Sequence, residues 1–276
     1  MKKKLMFLLI AVIAVAVAFT GCASDPANDN TDPNTDANQE TNEPVTILVA
    51  AAASLEYSYK DELIPMFQEQ YDWITVDGTY DSSGKLQQQI EAGLEADVFM
   101  SAAMTQMNAL VDEGLVASDS VVELLENRIV LIAPADSDTD IASFEDIGNA
   151  DMIAIGDPAS VPAGQYAQEA LTSLGIYDEL DAAGKFSLGT NITEVLNWVA
   201  EGSADVGIVY ATDAATTENV KIIAEAPEGS LAAPVIYPVG MIADSAHQEA
   251  AQLFIEFLQS DEALAVFEAY GFARNI

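Results

Sequence analysis

The sequence predicts an α/β protein built as two lobes with a ligand cleft between them. From Val45 onward, short apolar segments typical of strands alternate with segments whose apolar residues recur every three or four positions, as in helices. Such alternation is typical of a parallel sheet whose two faces are covered by helices. The segment 45–276 is long enough for two lobes with separate cores.

Residues 1–21 are predicted to form an export signal. Lysines at positions 2 to 4 precede an uncharged apolar run from Leu5 to Phe19. That run is shorter than the ~20 apolar residues that a membrane-spanning helix needs, so a permanent span is the weaker interpretation.

Cys22 is the only cysteine in the chain, so an intramolecular disulfide is impossible. Its position directly after Phe19-Thr20-Gly21 resembles the lipobox of bacterial lipoproteins. The resemblance implies a lipidated Cys22 and an extracytoplasmic protein anchored to the cell membrane, on its periplasmic side or outer face. Two acyl chains, as a diacylglyceryl group supplies, are enough for stable anchoring. The alternative is ordinary signal cleavage nearby, with Cys22 removed or left as a free thiol.

Residues 22–44 are predicted to be a disordered acidic tether. After the cysteine, ASDPANDNTDPNTDANQETNEP contains no aromatic residue and is rich in Asp, Asn, Thr and Pro. Because this stretch cannot bury enough apolar surface to offset the entropy of an ordered chain, we expect it to hold the folded part off the membrane.

The charge of the chain excludes one class of partner. Removal of the three N-terminal lysines leaves six basic against 45 acidic residues, a net charge of −39. A nucleic acid would be repelled by this field, so nucleic-acid binding is not expected. The general acidity favours solubility and carries no information on the fold.

The first lobe is predicted from three pairs of a strand and a helix. The first helix places Leu55, Tyr59, Leu63 and Phe67 on one face. The pairs are VTILVAAAS with LEYSYKDELIPMFQEQY, WITVDGTY with GKLQQQIEAG, and ADVFMSA with MTQMNALVDEGL.

A second series begins at NRIVLIAP, which we expect to cross into the second lobe. It continues with DMIAIGDP as a strand, AGQYAQEALTSLG and ITEVLNWVAEG as helices, and ADVGIVYA, VKIIAEA and VIYPVGMIAD as strands. We expect VIYPVGMIAD to cross back, so that the closing helices HQEAAQLFIEFLQS and DEALAVFEAYGF rejoin the first lobe. The predicted lobes are residues 45–130 plus 238–276, and residues 131–237.

The stretch TYDSSGKL, residues 79–86, could belong to three kinds of site: a nucleotide-binding loop, an acylating serine or an oxyanion site. A nucleotide-binding loop fails, because five residues separate Gly78 from Gly84 and Leu86 stands where Ser or Thr is needed. Ser82 and Lys85 match the Ser-x-x-Lys pattern of acylating enzymes, but the companion sequences Ser-Asp-Asn and Lys-Thr-Gly do not occur in the chain.

The third interpretation is an oxyanion site made of helix N-termini. Ser82 and Ser83 lie between a strand end and a helix start, where unpaired N–H groups and the helix dipole attract anions. The alternative is that Ser83 only caps its own helix. Similar junctions recur in both predicted lobes: Ser54 after VTILVAAA, Ala163 in the helix start PAG, Asn191 with Glu194 as in a capping box, and Tyr210 at the end of VGIVY.

Several motifs together resemble the molybdate-binding proteins of ABC transporters, over residues 46–276. They are AAASL, the Ser-Ser before a helix, QIEAG with ADVFMSA, GDPASVPAGQYAQEAL, GIVYATDA and the closing YGF. The resemblance implies the type II periplasmic binding protein fold, with two α/β lobes joined by two crossover strands. It also implies capture of molybdate or tungstate for a membrane permease and its ATPase.

The resemblance further implies that neutral donors hold the oxyanion. Ser54 and Ser83 would give hydroxyl and backbone N–H groups, Ala163 and Ile192 would give backbone N–H groups, and Tyr210 would give its phenol. Molybdenum would be bound only as the oxyanion, with no cofactor and no catalytic residue, and a monomer is expected. Lys85, although close by, is expected to point to solvent.

Four alternatives stay open beside molybdate. Sulfate or another small anion could use the same fold. A ferric-ion site would require tyrosinates with carboxylates or histidine. The only histidine in the sequence is His247, in the helix start SAHQEAAQ. An organic acid would want an arginine clamp, and neither Arg128 nor Arg274 lies at a predicted cleft edge. The acylating enzyme rests on Ser-x-x-Lys alone.

The lipid anchor gives a first prediction. The Cys22→Ala variant is expected to move from the membrane fraction to the soluble fraction, because it lacks the thiol that carries the acyl chains. Fractionation followed by immunoblotting checks this, with Ser24→Ala, two residues away, as the control. Retention of Cys22→Ala in the membrane would contradict the anchor.

Overall fold

The computed structural model describes residues 43–275, which form two β-sheets covered by helices. The predicted export signal, Cys22 and nearly all of the predicted tether lie outside the described residues. Between residues 43 and 275, no helix has the length and apolar character needed to cross a membrane.

Eleven strands are present in the described part of the chain. They are β1 (Val45–Ala52), β2 (Ile74–Asp81), β3 (Val98–Met100), β4 (Val122–Asn127), β5 (Ile129–Pro134), β6 (Ile153–Gly156), β7 (Phe186–Gly189), β8 (Val206–Tyr210), β9 (Val220–Glu225), β10 (Val235–Met241) and β11 (Ala273–Arg274). The first sheet has the order β11-β4-β10-β3-β1-β2, and the second has the order β7-β6-β8-β5-β9.

Between residues 43 and 275, ten α-helical segments accompany these strands. They are α1 (Glu56–Ser58), α2 (Ile64–Gln70), α3 (Ser83–Glu91), α4 (Met104–Asp112), α5 (Pro162–Ser173), α6 (Tyr177–Ala182), α7 (Ile192–Ala200), α8 (Ala211–Ala214), α9 (Gln248–Leu258) and α10 (Asp261–Ala269). A 3-10 turn, Ala53–Leu55, leads into α1, and a π turn, Tyr59–Leu63, joins α1 to α2.

The apolar periodicity of the sequence is confirmed by burial. Leu55, Tyr59, Leu63 and Phe67, predicted to share one helix face, are all fully buried. The ring of Phe254 on α9 meets the ring of Tyr59 edge-on at 6.0 Å between centroids. Helix α9 therefore packs beside β1 and β10 of the first sheet.

The sheets are mixed rather than wholly parallel, which corrects the expectation from the alternating pattern. Strand β1 is parallel to β2 and β3, whereas β10 is antiparallel to β3 and β4. In the second sheet, β6 is parallel to β7 and β8, whereas β5 is antiparallel to β8 and β9. A parallel neighbour needs a long crossover connection, and the connections that enter β5 and β10 from the other sheet contain no helix.

The chain passes between the sheets at two places. From β4 to β5 only Arg128 intervenes, so one extended segment leaves the first sheet and enters the second. The return runs through residues 226–234 between β9 and β10. These changes of sheet lie within a few residues of the predicted lobe boundaries.

Four elements were not predicted: β4, α6, β7 and β11. Strand β4 has the sequence VELLEN, and its two glutamates sit among too few apolar residues to give a strand signal. The other three have six residues or fewer. Segments so short are held by their neighbours and carry little periodicity of their own.

Candidate functional site

The two lobes touch where the helix starts of both sheets face each other. The backbone N–H of Gly84, in the first turn of α3, donates to the carbonyl oxygen of Ser160 at 2.9 Å. Nearby, Gln106 Nε2 on α4 donates to Gln165 Oε1 on α5 at 3.2 Å. Both bonds join an element of the first lobe to an element of the second, so the lobes are in direct contact here.

Ser83 is the first residue of α3 and is fully buried. Its Oγ accepts a hydrogen bond of 3.0 Å from the backbone N–H of Ala102, which leaves its own proton free for another acceptor. Ser82, the residue before the helix, makes no side-chain capping bond, and in the described part of the chain its buried hydroxyl has no partner. The start of α3 therefore carries two enclosed serine hydroxyls with donor capacity.

Tyr210 ends β8 and places its phenol against the same segment. It is almost fully buried, and its hydroxyl donates to the carbonyl oxygen of Ala102 at 3.3 Å. Ala102 therefore contacts Ser83 through its N–H and Tyr210 through its C=O. Because Ser83 comes from the first lobe and Tyr210 from the second, this backbone segment joins the two lobes.

Ser54 lies in the turn that follows β1 and is half-buried. Its Oγ is 2.9 Å from the phenol oxygen of Tyr237 on β10. The Tyr237 ring meets the Tyr210 ring edge-on, with 5.4 Å between centroids. A continuous path of contacts therefore connects Ser54, Tyr237, Tyr210, Ala102 and Ser83.

Ala163 and Ile192 lie at the starts of α5 and α7, as predicted, and both are buried. Three residues after Ala163, Tyr166 meets the Tyr210 ring with 6.5 Å between centroids. The helix that starts at Ile192 packs beside the turn that contains Ser54. The structure thus brings the starts of α5 and α7 to the region of Ser54 and Tyr210, and the binding role of all five residues stays a prediction.

The start of α7 has the predicted capping arrangement. The Asn191 side chain accepts from the backbone N–H of Glu194 at 3.0 Å. The Glu194 carboxylate in turn accepts from the backbone N–H of Thr190 at 2.7 Å. Because these bonds use the N–H of Glu194, the earlier N–H groups of the turn, including that of Ile192, stay available for a ligand.

The cations near the lobes are engaged elsewhere. Lys85 Nζ is 3.2 Å from Asp81 Oδ1, Arg128 pairs with Glu225, and Arg274 binds Glu268 and Asp261. His247 makes its side-chain contact with Asp97, at 3.1 Å. The predicted site residues are therefore neutral donors without an arginine or histidine among them.

Burial keeps the tyrosine donors protonated. Loss of hydration raises the pKa of Tyr210 and of Tyr237 well above the ordinary value, and the charge of Asp213 adds to the effect on Tyr237. Both phenols therefore carry their protons at neutral pH. Tyrosinate, the form that binds ferric ion, is disfavoured by this environment.

Sequence reasoning missed Tyr237, Asn127 and Ala102. Asn127 ends β4, and its Nδ2 donates to Thr212 Oγ1 at 2.9 Å and to Tyr237 Oη at 3.3 Å. Tyr237 and Asn127 lie in strands, where a polar side chain on a buried face is the only available signal. Ala102 acts through its backbone, which leaves no signature in the sequence.

The chain is similar in sequence to known proteins. Residues 47–273 match the family described as bacterial extracellular solute-binding protein. The putative ABC transporter substrate-binding lipoprotein YvgL of Bacillus subtilis is 40% identical, over 84% of this chain and 87% of that protein. The molybdate-binding protein ModA of Haemophilus influenzae is 38% identical, over 71% of this chain and 78% of that protein.

Two solved structures are similar. The substrate-binding domain of a putative molybdenum ABC transporter from Clostridium difficile has a TM-score of 0.65 and 36% identity, over 84% of this chain and 100% of that chain. The periplasmic molybdate-binding protein of Azotobacter vinelandii has a TM-score of 0.72, over 82% of this chain and 98% of that chain. Its identity of 22% supports the fold alone.

Asp213 gives a prediction for stability. It lies on α8, only 5% exposed, and burial raises its pKa from 3.8 to about 7. Its folded-state pKa thus exceeds its unfolded-state pKa, so its contribution to stability is intact below about pH 4 and is lost as the pH rises through 7. The gain in unfolding free energy from Asp213→Asn is expected to be larger at pH 8 than at pH 5 by about 2 to 3 kcal/mol.

Urea denaturation at the two pH values measures this difference. The Asp119→Asn variant, at an exposed carboxylate, controls for the general effect of removing a negative charge. A gain from Asp213→Asn that is equal at both pH values would contradict the elevated pKa of Asp213.

Proposed function

Because the chain belongs to the family of bacterial extracellular solute-binding proteins, we propose that it captures molybdate, and also tungstate, for delivery to an ABC transporter. The resemblance to molybdate-binding proteins that the sequence indicates is confirmed by relatives at 38% and 35% identity. The fold is the mixed α/β, two-sheet arrangement of the type II periplasmic binding proteins. The observation that most supports the proposal is the pair of neutral donors, Ser83 and Tyr210, which meet at Ala102 across the two lobes.

The chemistry of these donors suits a fully deprotonated dianion. Molybdate, tungstate and sulfate carry no proton at neutral pH, whereas hydrogen phosphate carries one that needs an acceptor. A lining of donors leaves that proton unpaired, which costs roughly 1–3 kcal/mol, or about ten- to a hundredfold in affinity. Hydroxyl and N–H groups with fixed positions therefore select against phosphate.

The strongly acidic surface does not prevent anion binding. Repulsion between exposed charges and the ligand is screened over ~8 Å at physiological ionic strength. Aligned N–H and O–H dipoles act at contact distance, in surroundings with little water, where each hydrogen bond is stronger. Local donors can therefore outweigh the charge of the whole chain.

Ligand capture would proceed by closure of the lobes. Ser54 and Ser83 come from the first lobe, whereas Ala163, Ile192 and Tyr210 come from the second. An anion that accepts hydrogen bonds from these residues, with the Tyr210 phenol turned from Ala102 to the ligand, is bound more tightly in the closed form than in the open form. The anion thereby shifts the population toward closure.

Delivery of the ligand would require docking on a transporter and attachment of the protein to the membrane. The closed form would dock on a membrane permease, and an ATPase on the cytoplasmic side would drive release. We propose that Cys22 is lipidated and holds the protein, as a monomer, outside the cytoplasm. The protein would bind and release its ligand without chemistry: in the Ser-x-x-Lys pattern, Lys85 pairs with Asp81 rather than with Ser82.

Isothermal titration of the purified full chain with molybdate, tungstate, sulfate and phosphate tests the function. Molybdate and tungstate are expected to bind one to one, with sulfate weaker and phosphate weakest. In the double variant Ser54→Ala and Ser83→Ala, binding of molybdate is expected to be lost. Tight binding of sulfate alone would favour a sulfate-binding protein, and no heat from any oxyanion would overturn the proposal.

Closure has a separate test at Gly84. A Cβ atom at this position would lie 2.3 Å from the carbonyl oxygen of Ser160, too close for the lobes to meet. Gly84→Ala is therefore expected to weaken molybdate binding about tenfold or more and to leave the ligand-free protein more open in small-angle scattering.

Gly148→Ala is the matched control for this variant. A Cβ atom there would make an ordinary contact, 3.7 Å from Leu180 Cδ2, so the affinity should stay near that of the unmodified protein. Unchanged binding by Gly84→Ala would mean that the bond between Gly84 and Ser160 is not needed for ligand capture.

A further inference from the structure

We propose that Asn127 and Tyr237 are positioning residues that make Ser54 present its proton, rather than a lone pair, to the bound oxyanion. We name these three residues the Asn127–Tyr237–Ser54 relay. The inference rests on the proposed function and concerns what sets the polarity of the site.

The relay begins at Asn127, whose amide orientation is fixed by the backbone. The N–H of Arg128 donates to Asn127 Oδ1 at 2.8 Å, so the other terminal atom of the amide is the nitrogen. That nitrogen lies 2.9 Å from Thr212 Oγ1 and 3.3 Å from Tyr237 Oη. An amide nitrogen can only donate, so the Tyr237 oxygen is the acceptor.

Tyr237 accepts from Asn127 and donates its own proton to the next residue of the relay. Its side chain is fully buried, so its own hydroxyl proton needs an acceptor inside the protein. Asn127 Nδ2 cannot accept, and Ser54 Oγ lies 2.9 Å away. The raised pKa of Tyr237 keeps this proton in place at neutral pH. The phenol therefore donates to Ser54.

Ser54 is the end of the relay and lies in the candidate site. Its oxygen accepts from Tyr237, so its own proton points away from Tyr237 and is available to a ligand. The opposite direction would leave the buried Tyr237 proton without an acceptor among the two side-chain groups hydrogen-bonded to its oxygen, Ser54 Oγ and Asn127 Nδ2. It would also turn a lone pair of Ser54 toward an anion that offers only lone pairs. Both effects are unfavourable, and the relay avoids both.

Ser83 is oriented on the same principle by a different donor. The backbone N–H of Ala102 occupies its oxygen at 3.0 Å, as Tyr237 occupies that of Ser54. Both first-lobe serines therefore have a donor behind them. Only proline removes a backbone donor, and it also restricts the backbone, whereas the Tyr237 hydroxyl can be removed alone, which makes Ser54 the serine whose orientation can be tested.

The Tyr237→Phe variant isolates the hydroxyl from the ring. The ring packs edge-on against Tyr210 and Phe272, at 5.4 Å and 5.2 Å between centroids, and phenylalanine keeps these contacts. In the full chain, Tyr237→Phe is expected to weaken molybdate affinity about tenfold, because Ser54 loses the donor that orients it. In a Ser54→Ala background the same change is expected to have less than about a twofold effect.

A double-mutant cycle measured by titration with molybdate gives the decisive comparison. Equal losses from Tyr237→Phe in both backgrounds, or no loss in either, would overturn the relay, because a purely structural role of the phenol does not depend on Ser54. Asn127→Ala breaks the relay one step earlier. In the Ser54→Ala background it is also expected to leave the molybdate affinity nearly unchanged. It serves as the second variant if Tyr237→Phe does not fold.

Tyr59→Phe is the matched control. It removes a buried phenol of the same lobe that donates to Met100 Sδ at 2.8 Å, outside the relay, and should leave the molybdate affinity within about twofold. If the unmodified protein binds none of the oxyanions, the proposed function fails and the relay with it. If it binds molybdate and the cycle is additive, only the relay fails.

Discussion

An oxyanion can be enclosed in a chain with 45 acidic residues only if the groups around it offer protons and keep their lone pairs occupied elsewhere. The backbone N–H of Ala102 meets this requirement at Ser83, because it occupies the serine oxygen. The carbonyl oxygen of Ala102, 3.3 Å from the phenol of Tyr210, accepts that phenol's proton, so Tyr210 would serve an anion by turning its proton from Ala102 to the ligand. Serine and tyrosine hydroxyls can either donate or accept. The neighbouring groups that orient a hydroxyl therefore decide whether it presents its proton to an anion.

The fold supplies these neighbours through its strand order. Strands β1 and β2 are adjacent and parallel, so their carboxyl ends deliver Ser54 and Ser83 to the same edge of the first sheet. The second sheet presents its site residues in the same way. Ala163 lies at the helix start after β6, Ile192 lies at the helix start after β7, and Tyr210 ends β8. Helix N-termini are natural anion sites, and here the two sheets turn theirs toward each other.

The sequence was sufficient for the two-lobed fold, for most elements and for the placement of the site residues at strand ends and helix starts. Long buried strands such as VTILVAAA and amphipathic helices carry their own signal, whereas VELLEN and FSLG depend on pairing with distant strands. Asn127 and Tyr237 could not be found, because a polar residue in a strand acquires a role only when a distant segment of the chain supplies its partner. The antiparallel direction of β5 and β10 follows from where the chain changes sheets, which periodicity does not encode.

The connection through Arg128 has a consequence for how the anion leaves. A link of one residue between β4 and β5 fixes the distance between the sheets at that point, while the longer return over 226–234 permits rotation. An opening motion about Arg128 would therefore separate the lobes least beside that residue. Asn127 and Thr212, which are hydrogen-bonded next to it, would barely part, whereas Ser83, which follows the edge strand β2 at the other side of the first sheet from β4, would move furthest. At the proposed site, the anion would then lose Ser83 first and stay longest with the residues nearest Arg128.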